Sequence, residues 1–161
     1  MTDSIDPHDG SCACGYVRYR MTSQPLIVHG CHCSLCQRQN GSAFAVNALI
    51  EEDRVQILEG DVAGIAMPSP SGASQQIFRC PKCQVALWSY YLAFHDAVRF
   101  IRVGTLDDPS RLPPDVHIYT ESKQPWFEFP DDALAVKAYY VTEDVWPEES
   151  LDRLRTLLQG S

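Results

Sequence analysis

Seven cysteines fall in three tight groups: Cys12-Ala13-Cys14, Cys31-His32-Cys33-Ser34-Leu35-Cys36 and Cys80-Pro81-Lys82-Cys83. Two groups carry two thiols and one carries three. That arithmetic fits one closed tetrahedral metal site and one site with a free corner. A closed site holds a fold together, whereas a site with a free corner can do chemistry.

Disulfides are the competing explanation, and they fit poorly. An odd count leaves at least one thiol over. A Cys-x-Cys pair is a strained bridge, because closing so small a ring forces the disulfide away from its preferred geometry. Metal ligation needs the reverse, several sulfurs converging on one ion at about 2.3 Å. The stretch Met1-Thr2-Asp3-Ser4-Ile5-Asp6 has neither a basic start nor an apolar run, so no secretory signal is expected. No segment reaches the roughly 18 consecutive apolar residues of a membrane span. The expected compartment is a reducing cytoplasm, where clustered cysteines read as metal ligands. Zinc suits all-sulfur tetrahedral sites; iron–sulfur ligation is the minor alternative.

Cys12, Cys14, Cys80 and Cys83 form two paired blocks far apart in the chain, and they are the expected closed site. Gly15 after the first pair and Pro81-Lys82 inside the second suit tight knuckles. Cys31, Cys33 and Cys36 then make a local three-sulfur site whose fourth position falls to water or substrate. Two alternatives stay open. His29 or His32 can close the second site with an imidazole nitrogen beside the three sulfurs, or one thiol can be a free core cysteine.

With 161 residues, 45% of them hydrophobic, the chain has the size and the core of one domain. Its formal charge of −8 counts against a phosphate-binding surface, so no nucleic-acid partner and no membrane partner are expected. Strand-like alternation dominates: Tyr16 to Met21, Leu26 to His29, Phe44 to Ile50, Gln75 to Arg79, Ala86 to Tyr91 and Ala97 to Val103. Phe44–Ile50 and Arg54–Leu58 read as a hairpin pair around Glu51-Glu52-Asp53. Met67 to Ser74 and Asp107 to Asp132 read as loops, the second long and partly ordered. A short helical turn follows Cys33 and stops at Asn40-Gly41. A helix over about 147–158 begins at Pro147 with Glu148 and Glu149 in its first turn, and carries Leu151, Leu154, Leu157 and Leu158 on one face. The expected fold is mainly β, antiparallel sheets pinned by a four-cysteine zinc site, with short helices and a C-terminal helix, in a single zinc-binding domain over 1–161.

The combined string resembles a known family. Gly10-Ser11-Cys12-x-Cys14-Gly15-x-Val17-x-Tyr19, Cys31-His32-Cys33-x-x-Cys36-Gln37-Arg38, Gly41-Ser42-Ala43-Phe44 and Phe78-x-Cys80-x-x-Cys83 are similar to the glutathione-dependent formaldehyde-activating enzymes, which include the centromere protein V domain. Gly104-Thr105-Leu106-Asp107-Asp108-Pro109, His117-Ile118 and Pro125-Trp126 extend the likeness, which covers about 10–130. Gln84 departs from it, standing where the family commonly has glycine.

The resemblance implies two zinc ions per chain. Cys12, Cys14, Cys80 and Cys83 fall on the structural ligands, and Cys31, Cys33 and Cys36 on the catalytic ones. It also implies a carbon–sulfur lyase or synthase that adds the glutathione thiol to formaldehyde. The alternative is a non-catalytic zinc module for a partner protein. Three cysteinates on one zinc leave a net negative cluster, which favours a nearby cation. Arg38, two residues past Cys36, is the local candidate and can also hold a glutathione carboxylate; its plainer reading is a solvated arginine. His117 reads as a general base or as a hydrogen-bonded structural histidine. Trp126 reads as a pocket wall or a core anchor, and Ser42 as a substrate donor or a turn residue.

Overall fold

The computed structural model describes residues 6–68, 74–94 and 96–160. Residues 69–73 of the first expected loop, and His95, lie outside the described residues. The strands in chain order are β1 (His8–Ser11), β2 (Arg18–Met21), β3 (Ile27–Cys31), β4 (Ala45–Glu51), β5 (Val55–Glu59), β6 (Ala63–Pro68), β7 (Ser74–Arg79), β8 (Ala86–Tyr91), β9 (Val98–Arg102) and β10 (Val116–Ile118). The helices are α1 (Ser34–Asn40), α2 (Thr142–Val145) and α3 (Glu148–Gln159).

Two sheets result. One has three strands in the order β1-β2-β5, and the other has seven in the order β10-β3-β4-β9-β8-β7-β6. Every pairing is antiparallel except β10 with β3, which is parallel. The large sheet is covered on both faces at its centre. Along β4, Val46, Ala48 and Ile50 face one core while Ala45 and Leu49 face another, as the two-residue strand period requires. The first core lies between the sheets, where Tyr19 and Met21 meet Val28, Ala48, Trp88 and Ile101. The second lies under α1 and the C-terminal segment, where Ile27, Leu49, Val98, Phe100 and Val116 meet Trp146 and Leu151. Each fully buried side chain of this kind contributes about 1.5–3 kcal/mol.

Three expectations need correction. The strands flanking Glu51 to Asp53 do not pair with each other. A strand has two edges, and those of β4 are taken by β3 and β9. A short 3-10 turn at Glu52–Arg54 instead carries the chain across, and β5 pairs with β2. The segment from Asp107 to Asp132 is not all loop. Val116–Ile118 fills the free edge of β3, and its own outer side is met by Leu134 and Val136, which exchange backbone bonds with His117. Leu158 does not join the packed face of α3; it is exposed, while Leu151 is buried.

The alternation of β9 also misleads. Arg99 and Arg102 are both buried. Arg99 bonds Glu52 at 2.7 Å and the Tyr90 hydroxyl at 2.8 Å, and lies over the Trp88 ring. Arg102 sits on the opposite face, towards α1.

Candidate metal centres

Both paired cysteine groups sit at hairpin ends. Cys12 follows β1 directly, and the turn to β2 closes with the Cys12 N–H on Val17 O at 3.1 Å. Cys80 follows β7, and its turn closes with the Cys80 N–H on Val85 O at 3.0 Å. In each turn backbone N–H groups point at sulfur: Val17 N to Cys12 Sγ at 3.3 Å, Lys82 N to Cys80 Sγ at 3.4 Å and Cys83 N to Cys80 Sγ at 3.5 Å. Such bonds favour the thiolate, the form that binds metal. The Val85 N–H similarly helps draw Cys83 down to about 6. Across the two knuckles, the Lys82 ammonium rests 3.8 Å from the centre of the Tyr16 ring.

These knuckles bring four sulfurs together, with Cys12 Sγ 3.6 Å from Cys14 Sγ and Cys14 Sγ 3.8 Å from Cys80 Sγ. Four sulfurs at about 2.3 Å from a central ion stand roughly 3.8 Å apart in a tetrahedron. All four lie within 4.8 Å of one another, so the set fits a tetrahedral thiophilic ion such as zinc. The turn at Gln84 also explains why glycine is expected there. Its φ is 65°, the left-handed region, which costs a non-glycine residue about 1 kcal/mol or more. Its N–H bonds Cys80 O at 2.9 Å and its side-chain amide bonds Pro81 O at 3.0 Å, which hold it in place.

The second set is built at the strand-to-helix corner. Cys31 ends β3, Cys33 is the N-cap of α1, and Cys36 lies in the first turn. The Cys33 sulfur accepts the Cys36 N–H at 3.3 Å. Helix α1 ends as its sequence foretells: Asn40 Nδ2 bonds Cys36 O at 2.8 Å, and Gly41 takes the left-handed conformation. The three sulfurs lie within 4.8 Å of one another. Cys31 and Cys36 are buried while Cys33 is half-buried, so the set meets solvent on the Cys33 side. Bonds from the Cys31 and Cys36 side chains, and then from backbone N–H groups of α1, pull the Cys33 thiol down to about 2. Cys31 is pushed up by sharing protons with Cys33 and Cys36, and by burial. At Cys36 the bond from Cys31 lowers the value, but Cys33 and burial prevail and raise it to about 12. The three thiols thus share their protons, and the backbone N–H groups at the start of α1 favour the thiolate at Cys33.

Neither nearby histidine joins it. The His32 ring turns to His117, with Nε2 to Nδ1 at 2.9 Å, and stacks on Phe44 at 4.5 Å. His29 Nε2 meets the Tyr140 hydroxyl at 2.5 Å, and Trp146 Nε1 donates to the same oxygen at 2.7 Å. Among the described residues the second set has three donors and no fourth. All seven cysteines belong to one set or the other, so none is left over in the core.

A loop from Tyr119 to Phe129 is laced over α1. Gln37 Nε2 donates to His32 O at 2.8 Å and Ser122 O at 2.9 Å, Ser122 Oγ donates to His32 O at 3.0 Å, and Gln124 Nε2 donates to Gln37 Oε1 at 2.7 Å. Tyr119 enters this loop with φ 53°, in the left-handed region. Burial, and then the thiolates of Cys31, Cys33 and Cys36, raise its hydroxyl pKa. Such strained residues cluster at functional sites. No motif in the sequence marked Tyr119.

The remaining sequence candidates separate. Arg38 is exposed on α1 and makes no ion pair among the described residues. His117 is buried in the bond to His32 and against Phe129 at 4.8 Å. Ser42 donates to Phe44 O at 2.9 Å, a turn bond. Trp126 is 71% exposed and anchors no core. Among the described residues no helix is long and apolar enough to cross a membrane.

Fold and sulfur sets together define a mainly β protein with two candidate thiolate metal centres. Residues 7–122, which carry all seven cysteines, match the model of the glutathione-dependent formaldehyde-activating enzymes. The chain belongs to that family. A curated Halomonas elongata protein that bears the same family description is 27% identical over 143 residues, 79% of this chain and 91% of its own. A Rhodobacter sphaeroides protein of known crystal structure is 16% identical, with a TM-score of 0.47 over 64% of this chain and 93% of its own, too loose a likeness to carry an argument.

Proposed function

We propose that the chain is a zinc-dependent carbon–sulfur lyase or synthase of the cytoplasm, a single domain that adds a small thiol, glutathione, to formaldehyde. The carrying observation is the three-sulfur set, which has no fourth donor among the described residues and is open on the Cys33 side. In the reaction the thiol sulfur bonds the aldehyde carbon, the C=O π pair moves to oxygen, and the thiol proton ends on that oxygen as a hydroxyl. A zinc ion held by Cys31, Cys33 and Cys36 supplies Lewis acidity and favours the thiolate form of an incoming thiol. The protein's part is to hold and orient. Cys12, Cys14, Cys80 and Cys83 take a second, structural ion that fixes the sheets. Arg38, exposed and unpaired among the described residues, is placed to take a glutathione carboxylate as a charge-assisted pair. The laced loop from Tyr119 to Phe129 forms one wall beside α1.

The test is the rate of thiol–aldehyde exchange, measured by exchange spectroscopy on isotope-labelled formaldehyde with zinc-loaded protein. The expected result is a rate above the spontaneous one that Cys33→Ser abolishes while one zinc and the fold remain. An unchanged rate in Cys33→Ser overturns the reading. Two all-sulfur sets, the donor chemistry of structural zinc sites, favour a second reading, a zinc module that docks a partner protein. On that reading the wild type shows no rate above background.

A further inference from the structure

Arg102 is a buried cation without a carboxylate. It is 6% exposed. Its guanidinium donates to Asn47 Oδ1 at 2.6 Å and to Ser89 Oγ at 2.7 Å, both neutral acceptors, and Nε has no partner among the described residues. Among the described residues it forms no ion pair, unlike its strand neighbour Arg99, which holds Glu52. A buried charge of this kind needs a counter-charge nearby.

The sheet register shows where that charge lies. Arg102 stands directly opposite Asn47, Asn47 opposite His29, and in the next row Ala45 stands opposite Cys31. Directly opposed residues share a face, as do residues two apart along a strand. Arg102 therefore lies on the face that carries Cys31, one row away, and under α1 with Cys36. Among the described residues no carboxylate pairs with it there; Glu51, the buried carboxylate further along β4, is taken by Arg153. Phe100, two residues before Arg102 on the same face, packs in one core with Cys31 and Cys36. Tyr91, on the same face, packs against the core that holds Cys31 and Cys36.

We infer that Arg102 is a positioning residue for the three-cysteine centre, its fixed positive charge offsetting the net negative charge that three thiolates, and a fourth from substrate, place around one divalent ion. Asn47 and Ser89 hold the guanidinium by Nη1 and Nη2, and a cation of this kind acts through its field and not as a ligand. This charge is the one the sulfur count demands. Three thiolates on a divalent ion leave an excess of one negative charge, and a substrate thiolate raises it to two. Arg38 is exposed to water, where a charge is screened; Arg102 is buried, where its field persists.

The inference rests on Cys31, Cys33 and Cys36 being ion ligands, and not on the reaction. Its test reads metal. Wild type, Arg102→Met and Arg102→Lys are loaded with zinc, and the affinity of each ion is measured by competition with a chromophoric chelator. Cobalt substitution then gives the thiolate-to-metal charge-transfer bands of the second centre. Arg102→Met is expected to weaken the second ion at least tenfold and alter its cobalt bands. Arg102→Lys, which keeps the charge, restores most of the affinity. The first ion is unchanged in both, which also reports the fold. An unaltered second affinity in Arg102→Met overturns the inference, as does an equal loss in Arg102→Lys, which would make the role one of packing. Should Arg102→Met fail to fold, Asn47→Ser decides. It removes one tether of the guanidinium and is expected to weaken the second ion; no change overturns the inference. A wild type that binds two ions but shows no thiol–aldehyde activity defeats the proposed function and leaves this inference standing.

Discussion

Gly30 lies between His29 and Cys31 in β3, and the backbone comes closer there to its neighbour than any side chain allows. A methyl group at that position would stand 2.5 Å from His117 Nδ1 and 2.9 Å from Cε1. A flexible side chain would step aside at little cost. His117 has nowhere to step. Its ring is boxed by Phe44, Phe127 and Phe129, at 5.7, 6.0 and 4.8 Å between centres, and Nδ1 is bonded to His32 Nε2. Gly30→Ala thus forces overpacking, which costs about 1–3 kcal/mol, and breaks the His32–His117 bond, worth about 1 kcal/mol more. The expected loss is about 2–4 kcal/mol. Because His32 links Cys31 to Cys33, the same shove disturbs the three-sulfur set, and the second ion should weaken with the fold. The assay is urea unfolding of the zinc-loaded protein at constant m, paired with metal content. An unfolding free energy within about 0.5 kcal/mol of wild type, as for an unconstrained surface change, would refute the claim that the close approach fixes the ring.

Three further outcomes are expected. Cys80→Ser removes the first ion and, with it, cooperative unfolding, whereas Cys33→Ser removes only the second ion and leaves the circular dichroism of wild type; elemental analysis with dichroism decides, and the same result from both variants contradicts the division of the cysteines. Glu51 is buried and takes two bonds from Arg153 at 2.8 and 2.6 Å, so Arg153→Met strands a carboxylate whose remaining Arg54 contact is 3.5 Å; chemical denaturation should show a loss of about 2–4 kcal/mol, and a neutral result would mean that the pair does not anchor α3. Burial holds His29 at about 4, below its ordinary 6.5. Its folded value is depressed, so the unfolded chain takes up the proton first, and the stability carried by the neutral ring is full above pH 6.5 and lost as pH falls towards 4. His29→Gln should flatten that part of the stability–pH curve by roughly 3 kcal/mol, and parallel curves would contradict the assignment.

Much of this was legible because thiol ligands are short-range and local. A Cys-x-Cys or Cys-x-x-Cys turn fixes its own geometry, so the division into Cys12, Cys14, Cys80, Cys83 and Cys31, Cys33, Cys36 could be read from spacing and is the grouping that the sulfurs form. Asn40-Gly41 stopped α1 for the same local reason. What was not legible is decided across strands. Nothing around Glu51 reveals that both edges of β4 are occupied, so β5 could not be sent to the other sheet. Val116–Ile118 is three residues long, and only the free edge of β3 makes it a strand. The alternation Val98-Arg99-Phe100-Ile101-Arg102 implies a wet face, yet the strand lies at the middle of a sheet covered on both sides. Sequence reasoning asks for a cation and offers Arg38, near in the chain; Arg102, the cation we infer beside the three sulfurs, is 66 residues past Cys36 and comes onto the Cys31 face only through strand pairing.

The four-sulfur staple also sets the order in which this chain can assemble. Each knuckle forms within its own hairpin, β1–β2 or β7–β8, from contacts a few residues apart. Cys14 and Cys80 are 66 positions apart, and bringing ends that distant together costs about 4 kcal/mol of chain entropy before any core forms. An ion captured early by one knuckle and closed by the other would offset that cost at once and bring the two sheets face to face. An ion that arrives late would leave two half-built sheets, with the apolar inner faces of Tyr19 and Trp88 open to other chains. For a nascent chain of this design, the supply of an ion that the four sulfurs can hold would bear on folding yield, whatever the second set does.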